Sequence, residues 1–394
     1  MKYIPIFITL FFLFSGNALS EKGSSQSEKA ESDLRKVLML MRDGDIDKAI
    51  TTASHLIKNY PNFKLGKLVY ADLLSARAQS KPIISKNFST DKANKSLVEL
   101  KSEAKARINF SANYKRNKLV PKSIINIASS NKYVFLVELK KSRLYIMEND
   151  DGFPKIIADY YVSIGKEGYS KDISGDNKTP TGVYKITSFL KDEDLPELYG
   201  DGAYPINYPN TWDSRNKRTG YGIWIHGVPR DTYSRPPLAS EGCIVASNST
   251  LQELKKFITP GNTPIILKKE VIWITKSKWD KNNQEIKKIL KKWKESWESL
   301  NPYTFISQHS IDFQSKKHNF EKRVSHILRI MSSKSFIDVE IEDINIFFYP
   351  DKKEIIYTDF KQNYKSNNFS SSTRKKLFWQ YEKDGNWRII HEDT

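Results

Sequence analysis

Gly220-Tyr221-Gly222-Ile223-Trp224-Ile225-His226-Gly227 and, beyond a loop rich in Pro and Arg, Ser240-Glu241-Gly242-Cys243-Ile244-Val245 decide how this 394-residue chain is read. The chain's single cysteine meets a histidine here. A thiol is a poor nucleophile until an imidazole takes its proton, and the oxyanion that then develops needs nearby donors. His226, at the end of an apolar strand-like run, and Cys243, behind a glycine, suit those roles. Gly242 lets the backbone turn tightly, so that N–H groups around Cys243 can face a tetrahedral intermediate. The Gly227 carbonyl is free to fix the tautomer of the imidazole. The competing reading is a buried structural cysteine. A Cys and a His alone would be weak evidence, and it is the flanking glycines that shift the weight toward catalysis.

Outward from this centre the period is that of strands. Tyr133 to Leu139 and Arg143 to Met147 flank the polar turn Lys140-Lys141-Ser142, and Ile156 to Ile164, Gly182 to Thr187 and Pro264 to Leu267 are further apolar runs. With a helix expected from Ser249 to Phe257, these segments predict a mostly β domain over residues 130–270. Before it, apolar spacing predicts helices near Leu34 to Met41, over Ile46 to Asn59, over Leu65 to Ala78 and from Lys92 to about Tyr114, with breaks at Asp43-Gly44-Asp45 and Tyr60-Pro61-Asn62. This helical region, residues 21–120, resembles a single tetratricopeptide-like unit, which either docks envelope proteins or packs on the next domain. After it, residues 280–394 begin with a helix rich in Trp and Lys, Gln284 to Leu300. Alternating segments follow: Phe336 to Phe348, Glu354 to Tyr364, Lys375 to Tyr381 and Trp387 to His391. Helices followed by a curved antiparallel sheet predict an α+β cone, with Trp293 and Trp297, four apart on one helix, as its apolar lining.

His-Gly, a loop, then Ser-x-Gly-Cys and an apolar residue form the active-site signature of the L,D-transpeptidase (YkuD-type) family, which the chain resembles from about Tyr133 to Lys268. The similarity extends through Val162-Ser163-Ile164-Gly165 and Gly175-Asp176-Asn177-Lys178-Thr179-Pro180-Thr181-Gly182 to Tyr199-Gly200-Asp201-Gly202-Ala203-Tyr204-Pro205 and Tyr208-Pro209-Asn210, the last two resembling the family's substrate side. The resemblance implies Cys243 as nucleophile, His226 as base, Gly227 as its orienting carbonyl, Gly242 and Ser240 as shapers of the oxyanion turn, and Tyr204 against the substrate. Many members place an arginine two residues after the nucleophile, where this chain has Val245. Arg235 and Arg230, in the preceding loop, are the expected substitutes, because a guanidinium grips a carboxylate in two places. The C-terminal pattern is similar to the nuclear-transport-factor-2-like (NTF2-like) fold, and the order of domains resembles that of cell-shape-determining L,D-carboxypeptidases. The implied reaction is cleavage of the L,D bond of peptidoglycan tetrapeptide stems through a thioester. The acyl group then passes to an amine, in cross-linking or protein attachment, or to water, in trimming to tripeptides. A non-catalytic envelope-binding protein is the reading from another class.

Met1-Lys2, the apolar run Ile4 to Phe14 and the small residues up to Ser20 follow the order of a secretory signal peptide, residues 1–20, and predict export to the periplasm with no membrane-spanning segment after cleavage. An exported chain with one unpaired thiol needs a reason for it. The formal charge of +18 would suggest nucleic acid in the cytosol, but export argues for no nucleic-acid partner and for peptidoglycan peptides or another anionic envelope surface. His55, His309, His318, His326 and His391 lack metal-ligand spacing, so neither metal nor cofactor is expected.

Overall fold

The computed structural model describes residues 26–78, 92–108, 119–351 and 353–393. The expected signal peptide, and the expected helix beyond residue 108, lie outside the described residues. Four helices come first: α1 (Gln26–Asp43), α2 (Ile46–Asn59), α3 (Lys64–Arg77) and α4 (Lys92–Ile108). Gly44, at φ +82°, makes the turn after α1, and the Asp45 side chain accepts the Lys48 N–H to cap α2. Their apolar stripes meet in one core of Leu34, Val37, Ala53, Leu56, Phe63 and Leu73.

The middle domain is built on a five-stranded sheet in the order Phe153–Tyr161, Arg143–Asp150, Tyr133–Glu138, Pro264–Lys268, Gly182–Lys185. The central pair, Pro264–Lys268 with Tyr133–Glu138, is parallel, and the other pairs are antiparallel. Side chains alternate across a strand. Phe135, Val137, Ile265 and Leu267 therefore face one core, shared with Ile225, Ile244 and Leu251. Val134, Leu136, Met147 and Ile266 face another, shared with Phe347, Tyr357 and Phe378 of the C-terminal domain. Because both faces are covered, the run from Tyr133 to Leu139 is almost continuously apolar.

The C-terminal domain is a six-stranded sheet in the order His309–Ser315, Trp387–Asp393, Ser370–Tyr381, Ile355–Ser366, Ile337–Tyr349, Ile124–Asn126. Its last strand comes from the segment ahead of the middle domain, a pairing absent from the sequence reading. One face holds the core of the cone, with Phe360, Leu377 and Ile389 packed against Lys276–Glu298, Pro302–Ile306 and Phe320–Met331. Trp293 and Trp297 lie there as apolar lining, and both border a cavity of about 450 Å³. The other face closes the back of the middle domain's sheet, where Trp212 stacks on Phe378 with ring centres 4.9 Å apart.

Candidate active site

Two short strands carry the centre. Ile244–Val245 pairs in parallel with Trp224–His226, matching Ile244 to Ile225 and Val245 to His226. That register sets Cys243 alongside Trp224, whose backbone N–H bonds to the sulfur, while Sγ donates to the Gly222 carbonyl at 3.3 Å. His226 follows Trp224 by two residues and so lies on the same side of its strand. Its Nδ1 is 2.7 Å from the Gly227 carbonyl oxygen. A carbonyl only accepts, so Nδ1 carries the proton and Nε2 keeps the lone pair that a base needs.

The turn into Cys243 is closed by side chains. Ser240 Oγ donates to the Cys243 carbonyl at 2.6 Å and accepts the Gly242 N–H at 3.2 Å. Thr179, fully buried, accepts the Gly165 N–H and donates to the Gly242 carbonyl, both at 2.9 Å. In a trans peptide the C=O and the following N–H point oppositely, so Thr179 also directs the Cys243 N–H, a candidate oxyanion donor. Gly242 sits at φ +127°, and a Cβ there would lie 2.8 Å from the Lys178 carbonyl oxygen.

On the base side the organiser is Asn248, 1% exposed. Its Oδ1 accepts the N–H groups of Val228 (3.0 Å) and Asp201 (3.3 Å), and its Nδ2 donates to the Val228 carbonyl at 2.9 Å. The segment that carries the Gly227 carbonyl is thereby clamped. A Cβ on Gly227 would come 2.1 Å from Asn248 Oδ1, which makes glycine obligatory at this position. Tyr199 completes the wall, with its ring 5.0 Å from that of His226 and its carbonyl accepting the Gly227 N–H at 3.0 Å. Neither Asn248 nor Tyr199 was singled out from sequence as a site residue. The available signal was local, because Asn248 lies five residues past the nucleophile at the start of the helix Asn248–Leu254.

Burial dominates the electrostatics. It pushes the Cys243 thiol up to about 11, against the opposing pull of the Trp224 N–H and the Lys171 ammonium. It pushes the His226 imidazole down to about 4, with the Gly227 carbonyl opposing and the Arg235 charge adding to the shift. The resting pair is a neutral thiol beside a neutral imidazole.

Two expected substrate contacts are corrected. Tyr204 is 3% exposed and packs in the catalytic core against Phe189, so it does not face a substrate. Arg235 is 8% exposed, with Nε donating to Ser163 Oγ at 2.7 Å, and its guanidinium lies beneath the loop rather than in the cleft. Asn210, in the segment expected on the substrate side, caps the helix Thr211–Arg215 and donates to the Val183 carbonyl and the Tyr349 hydroxyl at the domain interface. Arg230 is half exposed and pairs with Asp192 at 3.1 Å and Asp201 at 3.8 Å. Among the described residues, no group of three or more His, Cys, Asp or Glu side chains is placed to hold a metal ion.

This geometry coincides with known domains. Residues 132–267 match the YkuD model, an L,D-transpeptidase catalytic domain, and residues 285–393 match the Cds6 C-terminal NTF2-like domain. The chain therefore carries a YkuD-type L,D-transpeptidase catalytic domain, which holds Cys243 and His226, followed by an NTF2-like domain. Among solved structures it is similar to Bdellovibrio bacteriovorus Bd1075, at 28% identity and a TM-score of 0.62, over 70% of this chain and 97% of that one. It also shares the fold of the helical cell shape determining protein Pgp2 from Campylobacter jejuni, at 24% identity and a TM-score of 0.59, over 69% and 95% of the two chains. No curated protein matches the chain.

Proposed function

We propose that the protein is an exported cysteine L,D-transpeptidase acting on peptidoglycan tetrapeptide stems. The observation that carries this reading is the register that seats Cys243 and His226 on paired strands, with Nδ1 of the imidazole tied to Gly227, inside a domain of YkuD type. His226 Nε2 takes the thiol proton as Sγ attacks the carbonyl of the third, L-centred residue, and the Cys243 N–H receives the oxyanion. Collapse breaks the C–N bond to the terminal D-alanine, whose nitrogen takes the proton from His226, and a thioester remains. An amine from a neighbouring stem or a protein lysine then attacks it. The product amide forms, and the proton returns through His226 to the leaving sulfur.

The second reading is an L,D-carboxypeptidase, in which water resolves the thioester to a tripeptide. It draws support from the architecture shared with a protein described as determining helical cell shape. Export to the periplasm is supported by the charged, apolar and small-residue order of residues 1–20. No helix among the described residues is long and apolar enough to cross a membrane.

Purified enzyme on tetrapeptide sacculi is expected to release D-alanine, and Cys243→Ala to release none. Undiminished release by that variant overturns the reading. Fragments from cells with and without the gene separate the two outcomes, since diaminopimelate-to-diaminopimelate links mark transpeptidation and tripeptides mark hydrolysis. Unchanged fragments would favour a binding role instead.

A further inference from the structure

The N-terminal helices hold both flanks of the nucleophile. Ahead of Cys243, the α4 residue Glu103 accepts the Arg235 backbone N–H through Oε2 at 2.8 Å, while its Oε1 accepts Arg107 Nε at 2.9 Å. Arg107 in turn donates to Glu31 of α1 at 2.6 Å. The ring of Tyr233, in the same loop, lies 5.9 Å from that of Phe63, just ahead of α3, and joins the helical core. Beyond Cys243, Arg35 of α1 bonds Glu253 at 3.0 Å and Thr250 at 3.2 Å, both on the helix that begins at Asn248.

The grip on Arg235 passes directly to the nucleophile turn. The Arg235 carbonyl accepts the Tyr161 hydroxyl at 2.7 Å, and Ser163 Oγ, which receives Arg235 Nε, donates to the Pro236 carbonyl at 2.5 Å. Ser163 also exchanges both backbone hydrogen bonds with Val245, two residues past Cys243. Leu238 and Ser240 then pair with Ile164 and Gly165, delivering Ser240 to its bond with the Cys243 carbonyl. Two carboxylates, Glu31 and Glu103, and two guanidinium groups, Arg107 and Arg235, are thus buried together, and both guanidinium groups lie over the Tyr161 ring, at 4.3 and 5.6 Å. Arg107 pairs with both carboxylates, whereas Arg235 is held through its backbone and Nε and its Nη2 has no hydrogen-bond partner.

We propose that the N-terminal helical unit is a brace of the active site, and that Glu103 is its principal positioning residue, setting the loop 228–240 through the Arg235 amide while its other oxygen is tied to Arg107. Cys243 is partly exposed, and the braced loop ends in Ser240, whose hydroxyl fixes the Cys243 carbonyl. Loosening the loop makes the sulfur more reactive toward a small reagent while spoiling the alignment that turnover needs, so the two rates move in opposite directions.

Cys243 is the chain's only thiol, so its alkylation by iodoacetamide, followed by mass, reports on the site without any assumed substrate. In the full chain, Glu103→Ala is expected to alkylate about threefold faster than wild type and to lose about tenfold in D-alanine release, chiefly in kcat. Glu103→Gln, which keeps an acceptor for the amide, is expected to lie between the two. Wild-type alkylation by a Glu103→Ala protein with unchanged near-ultraviolet dichroism overturns the proposal. Should that variant fail to fold, Tyr233→Leu, which loosens the same loop without touching the charges, decides it on the same criterion. Only the turnover arm rests on the acyl-transfer reading. A wild-type enzyme inert on sacculi would defeat that reading and leave the alkylation result to judge the brace.

Discussion

The two sides of Cys243 are built from different materials. On the base side, His226, Gly227 and Asn248 belong to the catalytic domain, where His226 bonds the Gly227 carbonyl and Asn248 bonds the Val228 backbone. On the loop side, Arg235 and Tyr233 are held by helices more than 100 residues earlier in sequence, through Glu103 and Phe63. The acid–base chemistry is thus wired inside the domain, while the approach to it is held from outside. A catalytic fold can in this way keep one reaction centre and vary access by changing what packs on the loop.

The comparison breaks first at Asn248. Asn248→Ala leaves the Val228 N–H and C=O and the Asp201 N–H buried without their partner, at a cost of about 3 kcal/mol and roughly a hundredfold in kcat, because the Gly227 carbonyl is no longer fixed. Thermal melts and steady-state kinetics read both effects, and a variant with wild-type kcat would mean that the clamp does not orient the base. Next is Thr179→Val, which keeps the shape but removes the hydroxyl between Gly165 and Gly242. About tenfold in kcat with little change in KM is expected, since the oxyanion turn, not substrate binding, is disturbed.

The pH dependence sharpens the same contrast. With the thiol raised and the imidazole lowered by burial, Cys243 rests as the thiol at neutral pH, and its thiolate fraction grows as pH rises toward the raised value. Alkylation of the resting enzyme should therefore climb from pH 7 to pH 10. A plateau already reached below pH 7 would instead reveal a preformed thiolate–imidazolium pair. The stability sign for His226 follows from the same shift. Its folded value lies below that of the unfolded chain, so the unfolded state takes up a proton first as pH falls from 6.5 toward 4, and stability declines through that window. The smallest effect belongs to Arg230. Arg230→Ala removes half-exposed ion pairs and should cost under about 1 kcal/mol. A raised KM at constant kcat in that variant would make Arg230 the carboxylate grip that Val245 cannot supply.

Much of this was legible along the chain. The strands Tyr133–Glu138, Arg143–Asp150 and Pro264–Lys268 and the three long strands of the cone stand within a few residues of their expected limits, because long periodic runs announce their period. Val120–Pro121 and Ile124–Asn126 were not legible, since two or three residues carry no period, and their partners, Trp273–Ile274 and Ile337–Tyr349, lie more than 140 residues away. The helix Phe320–Met331 was missed as well, although Phe320, Val324, Ile327 and Met331 recur at helical spacing along it. Tyr204 was expected at the substrate through the resemblance of its segment, and Arg235 as a stand-in for the arginine that Val245 replaces. Strand alternation turned Tyr204 inward, the Ser163 hydroxyl drew Arg235 beneath the loop, and the Tyr349 hydroxyl drew Asn210 to the neighbouring domain.

The sequence by itself singled out the candidate thiol and imidazole and the glycines beside them, since nucleophile, base and tight turn are demands of chemistry and of backbone sterics that are written in residue type. Only the tertiary structure decided what surrounds that pair. It brought Asn248 under Gly227, set the N-terminal helices against the loop ahead of Cys243, and laid the C-terminal sheet over the back of the catalytic one. These contacts join residues far apart in the chain, and burial, charge pairing and hydrogen-bond satisfaction become definite only once the distant segments have met.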